Sequence, residues 1–216
     1  MQIDKLVELH PHLYHMAEKD SWPNIKAHGL WSTSALLDRH KITGTARVKE
    51  ESQHRPNKTT LSSPNFATTV LRDQKPMSET KLANCLQDGL TPKDWYELLN
   101  KNTFFWVDRE RLLTLLNART YCNDEHDVLT LDTKSLVHDH AQVIHLCHMN
   151  SGCTSPYGTK RGNSTFTRIS DYPTRKNGNP IKRVVELVVE YGVADINKYV
   201  IEVHRMRGGT ILGRLA

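Results

Sequence analysis

The segment Arg183-Val184-Val185-Glu186-Leu187-Val188-Val189 constrains this chain more than any other. Strand period puts Val184, Glu186 and Val188 on one face and Val185, Leu187 and Val189 on the other. Both faces are apolar apart from Glu186, so the strand is expected inside a sheet covered on both sides. A carboxylate in such a place must be paired or must line a cleft. In a cleft it can stabilise positive charge growing on a sugar C1′ or align a nucleophile. The competing reading is a structural ion pair with an arginine.

The rest of the chain supplies a sheet for that strand. Strand patterns recur at residues 128–131, 141–148, 165–169 and 199–207. Helical signals fall mainly earlier. Ser21 caps a helix with Pro23 in its first turn and Gly29 at its end. Residues 78–88 carry Leu82, Cys85 and Leu86 at helical spacing. Thr91-Pro92 starts another helix with Asp94 in its first turn, and Asp108 caps a leucine-rich one. Residues 13–16 and 103–107 read as strands. Helices mostly in the N-terminal half and strands later predict an α+β fold, one domain over residues 1–216. Residues 43–76 are polar and read as one long functional loop. Residues 173–180 read as a second exposed loop.

Composition narrows the setting. The 216 residues carry 38% hydrophobic side chains, enough for a sizeable core, and a net charge of +5. A mean hydropathy of -0.57 and the lack of a long apolar run argue against a membrane span. The first residues lack a signal-peptide pattern, and four cysteines without a CxxC suit a reducing, cytoplasmic compartment. A pI near 9.0 favours polyanionic partners, nucleic acid or a phosphate-bearing ligand.

Other candidates follow from local pattern. His15, mid-strand in Leu13-Tyr14-His15-Met16, can donate to a ligand hydroxyl from a rigid position. The loop around Ser151, continuing through Lys160 and Arg161, offers hydroxyls, glycines and cations for phosphate. Trp106, after Phe104 and Phe105, can stack on a base or pack in the core. His145, Cys147, His148 and Cys153 match no closed zinc spacing, so no metal site is assigned.

Two segments resemble the DarT-type ADP-ribosyltransferase toxins and their relatives, RNA 2′-phosphotransferase-like folds included. The first runs from Leu13-Tyr14-His15-Met16-Ala17 through Trp22-Pro23-Asn24-Ile25-Lys26-Ala27-His28-Gly29-Leu30; the second is residues 183–189 with Val193-Ala194-Asp195-Ile196. Residues 100–171 also resemble a widespread bacterial family without an assigned activity that carries the same end motifs. The resemblance implies an ADP-ribosyltransferase-like split β-sandwich with NAD, as substrate, in the cleft between two sheets. It makes Glu186 the catalytic glutamate and His15 the ribose- or nicotinamide-contacting histidine. Tyr14, Arg72, Trp106, Ser151 and Arg161 are the residues expected to hold the NAD. Met16 stands where the toxins commonly have threonine, and Arg72 is the candidate for their arginine.

The expected activity is therefore cleavage of an N-glycosidic bond at a ribose C1′, by an NAD-dependent ADP-ribosyltransferase acting on nucleic acid, DNA first. A DNA base N-glycosylase needs the same carboxylate and stacking surface but no NAD, and would suit antiviral defence. A non-catalytic nucleic-acid-binding module is the third reading. A monomer is expected, with an antitoxin partner entering through the toxin resemblance.

Overall fold

In the computed structural model, which describes residues 1–155 and 158–216, one eight-stranded antiparallel sheet organises the chain. The elements run α1 (Ile3–Leu9), β1 (His12–Glu18), α2 (Trp22–His28), β2 (Leu30–Trp31), α3 (Thr33–Arg39), α4 (Gly44–Glu51), β3 (Thr59–Ser63) and β4 (Phe66–Leu71). They continue with α5 (Glu79–Cys85), α6 (Pro92–Asn100), β5 (Asn102–Trp106), α7 (Arg109–Leu116), β6 (Glu125–Asp132), α8 (Thr133–His140) and β7 (Ile144–Cys147). The last strands are β8 (Thr167–Arg168), β9 (Glu186–Glu190), β10 (Gly192–Val193), β11 (Val200–Arg207) and β12 (Thr210–Arg214). The fold is α+β, and helices are spread along the chain, α7 and α8 lying among the later strands.

The main sheet has the order β12-β11-β6-β1-β5-β9-β7-β8. Its two halves are joined unequally. β1 pairs with β6 over seven positions, whereas β1 and β5 share the single pair Tyr14↔Trp106. The sheet thus parts along the β1–β5 seam. Where the resemblance implied a split sandwich of two sheets, the main strands instead form a single ladder that opens in the middle.

Each face has its own core. Leu13, Ala17, Phe105, Leu129, Leu187 and Val189 point to the face covered by α1, α2 and α8. Met16 and Val128 point to the other, where Leu112 and Leu116 of α7 close over them and Trp95 and Leu99 of α6 extend the cover. Alternation along β1, β5 and β9 produces this division directly. β9 is interior, as its doubly apolar pattern requires.

Several local expectations need correction. Residues 43–76 are not one loop: they hold α4 and the β3–β4 hairpin, turned at Pro64-Asn65. These elements are polar because they pack mainly by hydrogen bonds, with Leu61 and Leu71 the main apolar contribution, against Leu37. Ser21 does not cap α2 through its side chain; the Trp22 N–H donates instead to Asp127 Oδ2 at 3.0 Å, so the cap comes from a distant strand. Residues 141–143 form a short 3₁₀ turn before β7, and α5 ends at Cys85. Thr91 and Asp94 form the reciprocal cap expected of α6, and Asp108 accepts from the Glu110 N–H to start α7.

Candidate functional site

The site begins with register. Tyr14 opposes Trp106, Trp106 opposes Glu186, and Glu186 opposes Cys147, so four strands bring these residues into one row. Directly opposed residues of an antiparallel pair share a face. The row therefore sets Tyr14, Trp106, Glu186 and Cys147 side by side across the seam. Beside it opens a cavity of about 540 Å³, lined by β1, β5, the β3–β4 hairpin and the start of α3, with Glu186 in its wall.

Glu186 is 4% exposed. Its carboxylate accepts the Ser151 N–H at 3.2 Å on both oxygens, and the Ser151 hydroxyl at 2.7 Å on Oε2. Burial pushes its pKa up to about 7, against the pull of the Ser151 bonds and the charges of Arg161 and Arg111. Burial and the Glu186 charge together raise the Cys147 thiol well above its ordinary range, so it stays protonated and is no nucleophile.

The competing reading, an ion pair between Glu186 and an arginine, is not met: among the described residues Glu186 makes no salt bridge, and its carboxylate bonds to Ser151. Arg161, 1% exposed, faces inward rather than into the cavity. It donates to the carbonyls of Ser151 at 2.8 Å, Cys153 at 2.9 Å and Thr159 at 3.0 Å, with its guanidinium over the Trp95 ring. The fork of donors suits several fixed carbonyls, and the aromatic face covers the charge. Neither Arg161 nor Ser151 contacts the cavity: Ser151 is buried beneath Glu186 as its hydrogen-bond donor. Both belong to the support of the carboxylate, not to the ligand surface the sequence suggested.

His15 lies on the opposite face of β1 from Tyr14 and reaches the cavity at the seam. Its Nδ1 is 2.8 Å from the Phe104 carbonyl. A carbonyl only accepts, so Nδ1 carries the proton, and this side chain replaces a ladder bond that β1 and β5 do not make. Burial, with Arg72 nearby, lowers its pKa to about 4. The ring is neutral, and Nε2 is left as an acceptor, not the donor expected from the strand pattern.

Tyr14, Arg72 and Trp106 line the cavity. Arg72 donates to the Met16 carbonyl at 3.1 Å and lies over the Tyr121 ring. Arg55, which the sequence did not single out, also lines it. Only 6% exposed, Arg55 donates to the Arg72 carbonyl at 2.7 Å, to the Glu50 carbonyl, and to Asn100 Oδ1 at 3.2 Å. These partners are neutral, so the guanidinium charge is not cancelled by a carboxylate in contact. His145 and Cys147 share a strand face as read from the sequence, and among the described residues no cluster of three or more His, Cys, Asp or Glu could hold a metal ion. Among the described residues, no helix is long and apolar enough to cross a membrane.

Fold and site together define an α+β protein whose antiparallel sheet opens at one seam around a buried carboxylate and a neutral histidine. The chain belongs to DUF7002, a family of unknown function, whose profile matches residues 11–200. No curated protein matches it.

Proposed function

We propose that the cleft breaks an N-glycosidic bond at a ribose C1′, with NAD as donor substrate and nucleic acid as acceptor. The observation that carries this reading is the convergence of His15 and Glu186, far apart in sequence, on one cavity at the sheet seam. About 540 Å³ is a volume suited to a small organic ligand. Arg55 and Arg72 supply positive charge in its wall for a pyrophosphate.

The chemistry follows from the geometry. The bond between C1′ and the pyridinium nitrogen breaks with its electron pair going to nitrogen, releasing neutral nicotinamide and leaving positive charge on the ribose. Ionised Glu186 stabilises that charge. An acceptor N–H or O–H then bonds to C1′, and its proton passes to Glu186, whose pKa of about 7 suits a base near neutral pH. His15 Nε2 accepts from a ribose hydroxyl and holds the sugar. Ser151 and Arg161 keep the carboxylate in place.

A base glycosylase is the second reading, favoured by Trp106 standing directly across from Glu186. There the electron pair goes to a nucleobase nitrogen, and water attacks C1′. Incubating the protein with DNA, with and without NAD, and identifying released molecules by mass spectrometry separates the two. Nicotinamide release with a mass added to DNA, lost in Glu186→Gln, supports transfer. A free base released without NAD overturns it in favour of the glycosylase, and no release from either overturns both.

A further inference from the structure

α7 carries a charged rim beside the cleft. Arg111 and Leu115 lie four residues apart on one helical face. Leu115 lines the cavity, and Arg111 is near enough for its charge to act on Glu186. Among the described residues the Arg111 guanidinium makes no hydrogen bond or salt bridge, while its backbone N–H donates to the Asp108 carbonyl. On the same turn exposed Arg109 acts on Tyr14. The acids of this rim are Asp108, engaged by Arg183, exposed Glu110, and Glu202, whose charge also acts on Tyr14. The Arg109 and Arg111 guanidinium groups, with no carboxylate in contact, therefore border the aromatic ledge of Tyr14 and Trp106, on the face of the sheet that α7 covers.

We infer that this rim is a nucleic-acid docking surface, with backbone phosphates on Arg111 and Arg109 and a base on the Tyr14–Trp106 ledge beside Glu186. Flat aromatic side chains next to guanidinium groups bind nucleotides by stacking and phosphate contact. The inference rests on the reading that nucleic acid is the acceptor, and it fixes where that acceptor lies.

The test is fluorescence anisotropy of fluorescein-labelled DNA oligonucleotides, unpaired and duplex, at low salt with the full chain. The double variant Arg109→Glu, Arg111→Glu should bind about tenfold or more weakly, with a shallower salt dependence. Lys134→Glu, on α8 at the opposite face of the sheet, should bind like wild type. Arg111→Gln alone, a smaller change, should cost about threefold and serves if the double variant does not fold. Equal losses for Lys134→Glu would show that only net charge matters and would overturn the inference. So would wild-type affinity in the rim variants, or no DNA binding at all. Nicotinamide release from NAD without DNA is followed in parallel. If NAD is untouched while the binding pattern holds, the donor reading fails and the docking surface stands; if NAD is cleaved while binding ignores the rim, the reverse is true.

Discussion

Ser151 grips Glu186 with two groups of one residue: its N–H lies 3.2 Å from each carboxylate oxygen, and its hydroxyl 2.7 Å from Oε2. Hydrogen bonds of this kind favour the ionised carboxylate, and burial opposes them. Burial prevails, since the Glu186 pKa still rises to about 7. The site thus keeps a carboxylate poised near neutrality with no arginine in contact.

That balance has a definite pH signature. From the ordinary 4.5 up to about 7, folded Glu186 binds more protons than the unfolded chain does. Its stabilising contribution is complete below the unfolded pKa and is lost as pH rises through the folded one. Glu186→Gln does not titrate. The variant should gain on wild type by on the order of 2–3 kcal/mol between pH 4.5 and 8. Urea unfolding of both proteins at the two pH values measures this, and a constant difference would refute the raised pKa.

His15 gives the opposite slope. Its folded pKa, about 4, lies below the ordinary 6.5, so the unfolded chain binds more protons between these values. Stability present above pH 6.5 is lost as pH falls towards 4. Because the ring is only half-buried, the loss relative to His15→Gln should be roughly 1–2 kcal/mol. Ring-proton NMR should show His15 unprotonated at pH 6, and a midpoint near 6.5 would break the assignment of Nε2 as a free acceptor.

Arg161 should behave as a positioning residue. Arg161→Ala removes donors from three loop carbonyls around a buried guanidinium and should cost about 3 kcal/mol in urea unfolding. Arg161→Lys keeps the charge but not the fork, and should recover only part. In the proposed reaction the folded Lys variant should lose kcat with little change in KM for NAD, since Arg161 faces away from the cavity. A rise in KM alone would place it in the ligand surface after all.

These residues also show what was legible in the sequence. β9 was, because apolar residues on both faces leave a strand nowhere to lie but inside a sheet, and Glu186 then stands out. Thr91 and Asp108 announced helices through short-range capping. Arg161 was visible only as a cation in a polar loop, which normally means a solvated side chain. Its burial depends on carbonyls of Ser151, Cys153 and Thr159 that turn inward without any periodic pattern. Arg55 was invisible for the same reason, since its partners at Glu50, Arg72 and Asn100 meet only in the folded chain. α4 and the β3–β4 hairpin escaped because hydrogen bonds hold them, and polar residues without alternation read as loop.

One turn tests the wall of the cavity itself. Gly192 of β10 pairs with Trp31 of β2, which brings Leu30 and Trp31 into the cavity lining. Its φ is +143°, and a Cβ there would lie 2.6 Å from the Leu30 carbonyl oxygen and 2.7 Å from the Trp31 ring. Neither neighbour can retreat: the carbonyl is backbone, and the Trp31 indole N–H donates to the His28 carbonyl at 2.6 Å. Gly192→Ala should therefore cost about 3 kcal/mol or more, combining backbone strain with a steric clash. Gly44 is the comparison: its φ is +61°, but nothing lies within 4 Å of its would-be Cβ. Gly44→Ala should cost only about 1 kcal/mol, the left-handed conformation alone. Urea midpoints should rank the two variants in that order. Equal losses would mean that β2 and β10 do not approach this closely, and the position of Trp31 in the cavity wall would fall with them.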